Sequence, residues 1–156
     1  MEEYGDTGAG GDYLPFPAED LNPRVDGLYP TRPGREATMV TGSSLGGLIS
    51  LLALFRHGEV FGGAGCLSPA FPRSRCRRVA ASARPDRPFR IYLDNGGVEL
   101  EAELPRGRDR MLRILRSKGF RDGEDRDVVV DPAAGHFEDA WAVRVWRPLE
   151  FLFGSL

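Results

Sequence analysis

The chain has 156 residues, is 41% hydrophobic and 28% charged, and carries a formal net charge of −2. This is ordinary globular material, long enough to bury a core, and not the composition of a disordered chain. The near balance of charge gives no electrostatic case for nucleic acid or an anionic membrane, and no apolar run reaches the length of a bilayer span.

Residues 1–17 are rich in glycine, aspartate and proline and read as irregular. Their acidic, polar start has no signal-peptide features, which points to the cytoplasm. Ala18–Tyr29 carries a broken helical pattern with Leu21, Val25 and Leu28 on one face. Glu36–Thr41 reads as a strand and Ser44–Arg56 as a mostly apolar helix, with Gly58 as its expected C-cap. Phe61–Leu67 is a second buried strand, whose glycines predict close approach of a helix. Residues 68–88 form a long arginine-rich loop; Arg73, Arg75, Arg77 and Arg78 read as a solvated face rather than an anion site. Phe89–Asp94 is the clearest strand, followed by a loop to Leu104. Gly107–Lys118 is an amphipathic helix and Arg126–Val130 a fourth strand. Residues 131–135 lead to His136, and Glu138–Phe153 reads as one last helix with Trp141, Val145, Leu149 and Leu152 as its buried stripe. Cys66 and Cys76 are expected to stay reduced rather than pair.

Strand and helix therefore alternate. The whole chain, 1–156, reads as a single α/β domain built on an open parallel sheet with helices on its faces. Sites in such sheets lie beyond the carboxyl ends of the strands. Ser44, the loop from Asn95 to Glu101, and His136 all fall there.

Gly42-Ser43-Ser44-Leu45-Gly46 fits G-x-S-x-G, the nucleophile elbow of α/β-hydrolases, and it sits between the first strand and its helix. The pattern places a strained serine at the strand end. Glycines two residues to either side relieve backbone contact, and the helix N-terminus faces the site. Leu45 would supply one backbone N–H of an oxyanion hole. A serine nucleophile needs a base and an acid that orients the base. His136 is the candidate base. His57 stands at the far end of the elbow helix and reads as a surface or capping residue. The acid is sought after the third strand, where Asp94, Glu99, Glu101 and Glu103 lie. Asp94 reads as structural, capping the Asn95-Gly96-Gly97 turn. Glu99 is the first choice, in the chain order Ser44, Glu99, His136.

The blocks 42–71, 89–99 and 133–153, with the leader 21–42, resemble the Putative esterase family of α/β-hydrolases. That family includes siderophore (enterochelin) esterases, S-formylglutathione hydrolases, feruloyl esterases and mycolyltransferases. The resemblance implies an α/β-hydrolase-type parallel sheet. It also implies hydrolysis of a small-molecule carboxylic ester through an acyl-enzyme on Ser44, with His136 as base and no cofactor. It selects Glu99 as the acid, with Glu101 next.

The chain departs from the family pattern at its front. It resembles only the C-terminal portion, so the N-terminal strands, and the loop that brings a second oxyanion donor, are not recognisable. Loss of one such donor costs on the order of 100- to 1,000-fold in rate. The elbow strand would also become an open edge. Either the chain is a piece of a longer protein, or a partner such as a second copy covers that edge. The rival reading is a catalytically inactive hydrolase-like remnant serving as an interaction module. A phosphate-binding turn fits poorly, because the Lys-Ser/Thr of a P-loop is missing and Leu48 stands where a dinucleotide turn has its third glycine. The scattered histidines and cysteines have no metal-ligand spacing.

Overall fold

The alternation of elements is realised as a four-stranded, wholly parallel sheet, seen in a computed structural model that describes residues 13–71 and 88–154. Cys76 and Arg73, Arg75, Arg77 and Arg78 lie outside the described residues. The strands are β1 (Met39–Ser43), β2 (Gly63–Leu67), β3 (Arg90–Asn95) and β4 (Arg126–Val130), in the spatial order β1-β2-β3-β4. The register aligns Ser43 with Leu67, Leu67 with Asp94, and Asp94 with Val129. The carboxyl ends of all four strands thus form one rim.

Alternation along each strand assigns the two faces. Ala64, Cys66, Ile91 and Leu93 face a core shared with α2 (Leu45–Arg56), α3 (Pro105–Ser117) and an aromatic cluster of Phe55, Phe89 and Phe120. Eight residues of α2, Gly47, Leu48 and Ser50–Phe55, are buried, as a helix apolar on most sides requires. The amphipathic α3 buries only Met111, Leu112 and Leu115. The opposite face of the sheet meets α5 (Trp146–Phe153). There a Cβ on Gly65 would stand 3.0 Å from Pro148 Cβ, and Tyr92 packs against Phe151 with ring centroids 6.3 Å apart. The strand glycines let the helix approach, as the sequence predicts. Burial pushes the thiol of Cys66 well above its ordinary pKa.

Several boundaries differ from expectation. β1 begins at Met39 because Gly34–Ala37 forms a turn, closed by Ala37 N–H to Gly34 O at 3.0 Å. Residues 16 and 17 are not irregular: Phe16–Leu21 forms a π-helical turn that runs into α1 (Asn22–Leu28). Its expected apolar face is not its buried one, since Leu21 and Leu28 are exposed while Leu14 and Ala18 enter the core. Gly58 is not a left-handed cap; a Cβ there would stand 2.8 Å from Phe89, so the glycine admits an aromatic ring. The loop after β3 contains a 3-10 turn, Glu99–Glu103. The last helix is two: α4 (Glu138–Ala142) and α5. Pro148 has no N–H to give Arg144 O, so a continuous helix would lose a bond and meet the proline ring there. Arg144 turns inward at the break, and Val145 and Leu149 face solvent instead of the core.

β1 hydrogen-bonds to β2 alone, and no strand among the described residues lies on its other side. Among the described residues no helix is long and apolar enough to cross a membrane.

Candidate active site

Ser44 is the residue between β1 and α2, with φ 55° and ψ −119°. This is a left-handed conformation that a serine does not adopt without strain. Its own backbone is held on both sides: Ser44 N–H donates to Leu67 O at 2.9 Å, and Ser44 O accepts from Ala70 N–H at 3.1 Å. The surrounding strand end thus imposes the turn. The glycines of the motif are not equivalent. A Cβ on Gly42 would stand 2.7 Å from the backbone carbon of Gly46, whereas a Cβ on Gly46 would meet nothing within 4 Å. Gly42 is the position where the close approach is required.

His136 lies in the segment between β4 and α4, its side chain 9% exposed. Its Nε2 is 3.0 Å from Ser44 Oγ, and its Nδ1 is 3.0 Å from Glu101 Oε1. A carboxylate can only accept, so Nδ1 carries the proton and Nε2 accepts from the Ser44 hydroxyl. Glu101 is fully buried. Its other oxygen accepts from Gly96 N–H at 2.9 Å and from Asn95 Nδ2 at 3.3 Å. These bonds balance the cost of burying the carboxylate and aim it at the imidazole.

The structure therefore brings Glu101 to His136, where the sequence reading preferred Glu99. Glu99 opens the 3-10 turn at φ 55° and is exposed. It lies beside Gly135 on the rim of a cavity of about 560 Å³ that Val98 and Phe137 also line. A 3-10 turn sends residues two apart in different directions, so only one of the two glutamates faces inward. Asp94 does not cap the Asn95-Gly96-Gly97 turn, where Glu101 takes the Gly96 N–H instead. Asp94 is buried, accepts from Ser68 N–H at 3.1 Å, and has Arg144 Nη1 at 3.6 Å. Burial raises its pKa, against the opposing pull of Arg144. Glu103, another loop carboxylate, is exposed. His57 caps the far end of α2 with Nδ1 3.5 Å from Glu59 Oε1, away from the site.

Leu45 is the first residue of α2, so its N–H belongs to the group without an intrahelical carbonyl partner. Sequence reasoning missed the supporting groups Asn95, Ser68, Trp141 and Arg144. Of these, only the Asn95-Gly96 pair, polar and turn-forming at a strand end, carried a local signal. No cluster of histidine, cysteine and carboxylate side chains among the described residues is arranged to hold a metal ion.

A serine hydroxyl, an imidazole and a buried carboxylate stand in one hydrogen-bonded line, a geometry in which an imidazole can take a proton from a hydroxyl while a carboxylate holds its other nitrogen. The family model described as Putative esterase matches residues 5–144. No curated protein matches the sequence. Solved structures with a similar fold include a ferulic acid esterase, with TM-score 0.70 and 19% identity over 90% of this chain and 60% of that one. The enterochelin esterase of Shigella flexneri has TM-score 0.71 and 22% identity, over 91% of this chain and 37% of that one. The S-formylglutathione hydrolase of Staphylococcus aureus has TM-score 0.68 and 13% identity, over 92% of this chain and 65% of that one. The chain spans less than two thirds of the length of each.

Proposed function

We propose that this chain, which belongs to the Putative esterase family, hydrolyses a small-molecule carboxylic ester through an acyl-enzyme on Ser44. The observation that carries the reading is the unbroken line from Ser44 Oγ through His136 to the buried Glu101.

In the proposed cycle, His136 Nε2 takes the hydroxyl proton as Ser44 Oγ bonds to the ester carbonyl carbon. The resulting oxyanion is held by Leu45 N–H at the positive end of α2. His136 then protonates the departing alcohol, and the C–O bond to it breaks. Water enters, gives a proton to His136 and attacks the acyl carbon. The carboxylic acid leaves and Ser44 recovers its hydrogen. Glu101 accepts the Nδ1–H bond throughout, holding the tautomer of His136 and stabilising the imidazolium as it forms. No cofactor takes part in these steps.

A second reading, a hydrolase-like module without turnover, is favoured by one feature: among the described residues β1 has no strand on its outer side, where a second copy of the chain or another segment would complete the sheet. Turnover of p-nitrophenyl butyrate separates the two. The first reading expects hydrolysis by the purified chain that Ser44→Ala and His136→Ala reduce to background and His57→Ala leaves intact. Equal rates in the wild type and Ser44→Ala would establish the second.

A further inference from the structure

Beneath His136 lies a second buried network that the acyl-transfer cycle does not use. Arg144, 1% exposed, sits at the break between α4 and α5. Its Nε–H donates to Ala140 O at 3.0 Å, and its Nη2–H donates to Ser68 Oγ at 3.1 Å. The same Ser68 oxygen accepts from Trp141 Nε1–H at 3.0 Å. Ser68, directly after β2, is itself fixed at φ 46°. Its N–H is bonded to the Asp94 backbone oxygen at 2.9 Å and to the carboxylate. One hydroxyl therefore ties the segment that follows His136 to the ends of β2 and β3. Trp141 in turn stands against the His136 ring, with centroids 5.0 Å apart and planes at 80°.

The bonds to Glu101 and Ser44 each tolerate a range of angles, so two contacts at opposite ends of the ring leave it room to tilt. A wall against the imidazole narrows that room. We propose that Trp141, clamped by Ser68 and Arg144, is the positioning residue that sets the His136 ring plane so that Nε2 meets Ser44 Oγ. Trp141 acts through His136 and not on the reacting atoms. As a statement about rate, the inference rests on the ester-hydrolase reading; as a statement about ring orientation, it does not.

The test therefore carries two readouts on the same proteins. The first is the imidazole NMR signature of His136, the slowly exchanging Nδ1–H held by Glu101 and the ring nitrogen shifts. The second is kcat and KM for p-nitrophenyl butyrate, per site titrated with a fluorophosphonate. Trp141→Leu removes the wall, Ser68→Ala unclamps it, and Trp141→Phe keeps an aromatic edge. Arg144→Met strands the buried Asp94 carboxylate and is expected to unfold, so Ser68→Ala stands in for it. Trp141→Leu and Ser68→Ala are expected to broaden or shift the His136 signals. They are expected to lower kcat on the order of 10- to 100-fold with KM within about twofold, as a misplacement near 1 Å does. Trp141→Phe should recover most of the loss. If Trp141→Leu and Ser68→Ala lower only the melting temperature, with His136 signals and kcat per site unchanged, the positioning role is overturned. A wild type without turnover, whose His136 signals still depend on Trp141, would sink the esterase reading and leave the positioning role standing.

Discussion

Two glutamates two residues apart, Glu99 and Glu101, have opposite environments, and the proposed chemistry depends on that difference. Glu101 is fully buried with both oxygens engaged, whereas Glu99 is exposed. Glu101→Gln should therefore cut kcat on the order of 10³- to 10⁴-fold by losing the acceptor that fixes the His136 tautomer, while Glu99→Gln should stay within about threefold of wild type. Kinetics of p-nitrophenyl butyrate hydrolysis distinguish them, and the reverse ranking would return the role to Glu99. Nothing in the local sequence ELEAE separates these carboxylates. What separates them is the left-handed start of the 3-10 turn at Glu99, a tertiary effect. Far from the site, Arg126 is fully buried and its Nε–H donates to Asp122. Hydrogen bonds from Arg126 and Arg116 lower the Asp122 pKa from 3.8 to about 2. A carboxylate depressed on folding stabilises above its unfolded pKa, and that stabilisation is lost as pH falls through the folded value. Asp122→Asn should therefore lower the urea midpoint at pH 6, with the gap closing between pH 3.8 and about 2. Because Asp122 is largely exposed, added salt should narrow the gap too. A gap independent of pH would contradict the assignment.

At the scale of elements, the sequence showed most of the fold because its periods are clear. The alternation in 90–95, the apolar helix 45–56 and the amphipathic helix 105–117 are each legible alone. The elbow is legible because its glycines and its serine sit at a strand-to-helix junction, and Ser44 does take the strained backbone the motif requires. The C-terminal helix was legible as two pieces from one residue, Pro148, which cannot give Arg144 O an N–H and falls in the first turn of α5; the apolar stripe across 138–153 passes over it. What the local sequence does not carry is the inward turn of Arg144 at the break, because its partners Ser68 and Asp94 are distant in sequence. The glycines of β2 have a packing role that predicts a cost. A Cβ on Gly65 would stand 2.6 Å from Thr41 Oγ1 and 3.0 Å from Pro148 Cβ. Gly65→Ala should destabilise the chain by about 1–3 kcal/mol through overpacking between β2 and α5. Denaturant unfolding checks this, and an unchanged midpoint would mean α5 shifts freely.

At the scale of the whole molecule, the sheet is asymmetric. β1 leads directly into Ser44, the proposed nucleophile, and is also an edge, half-buried and paired on one side only among the described residues. An edge with unused backbone donors and acceptors is a template for pairing. Self-association should therefore rise with concentration, and Thr41→Lys, placing a charge at an exposed position of that strand, should shift sedimentation toward the monomer. A monomer at every concentration in the wild type would contradict pairing through this edge. The proposed chemistry draws on the same strand, whose end sets Ser44 Oγ 3.0 Å from His136 Nε2. The most direct test of the central claim is intact-mass analysis after reaction with a fluorophosphonate. The account predicts a single phosphonyl adduct mapped to Ser44, absent in Ser44→Ala and strongly slowed in His136→Ala. No adduct on the wild type, or equal labelling of Ser44→Ala, would contradict it.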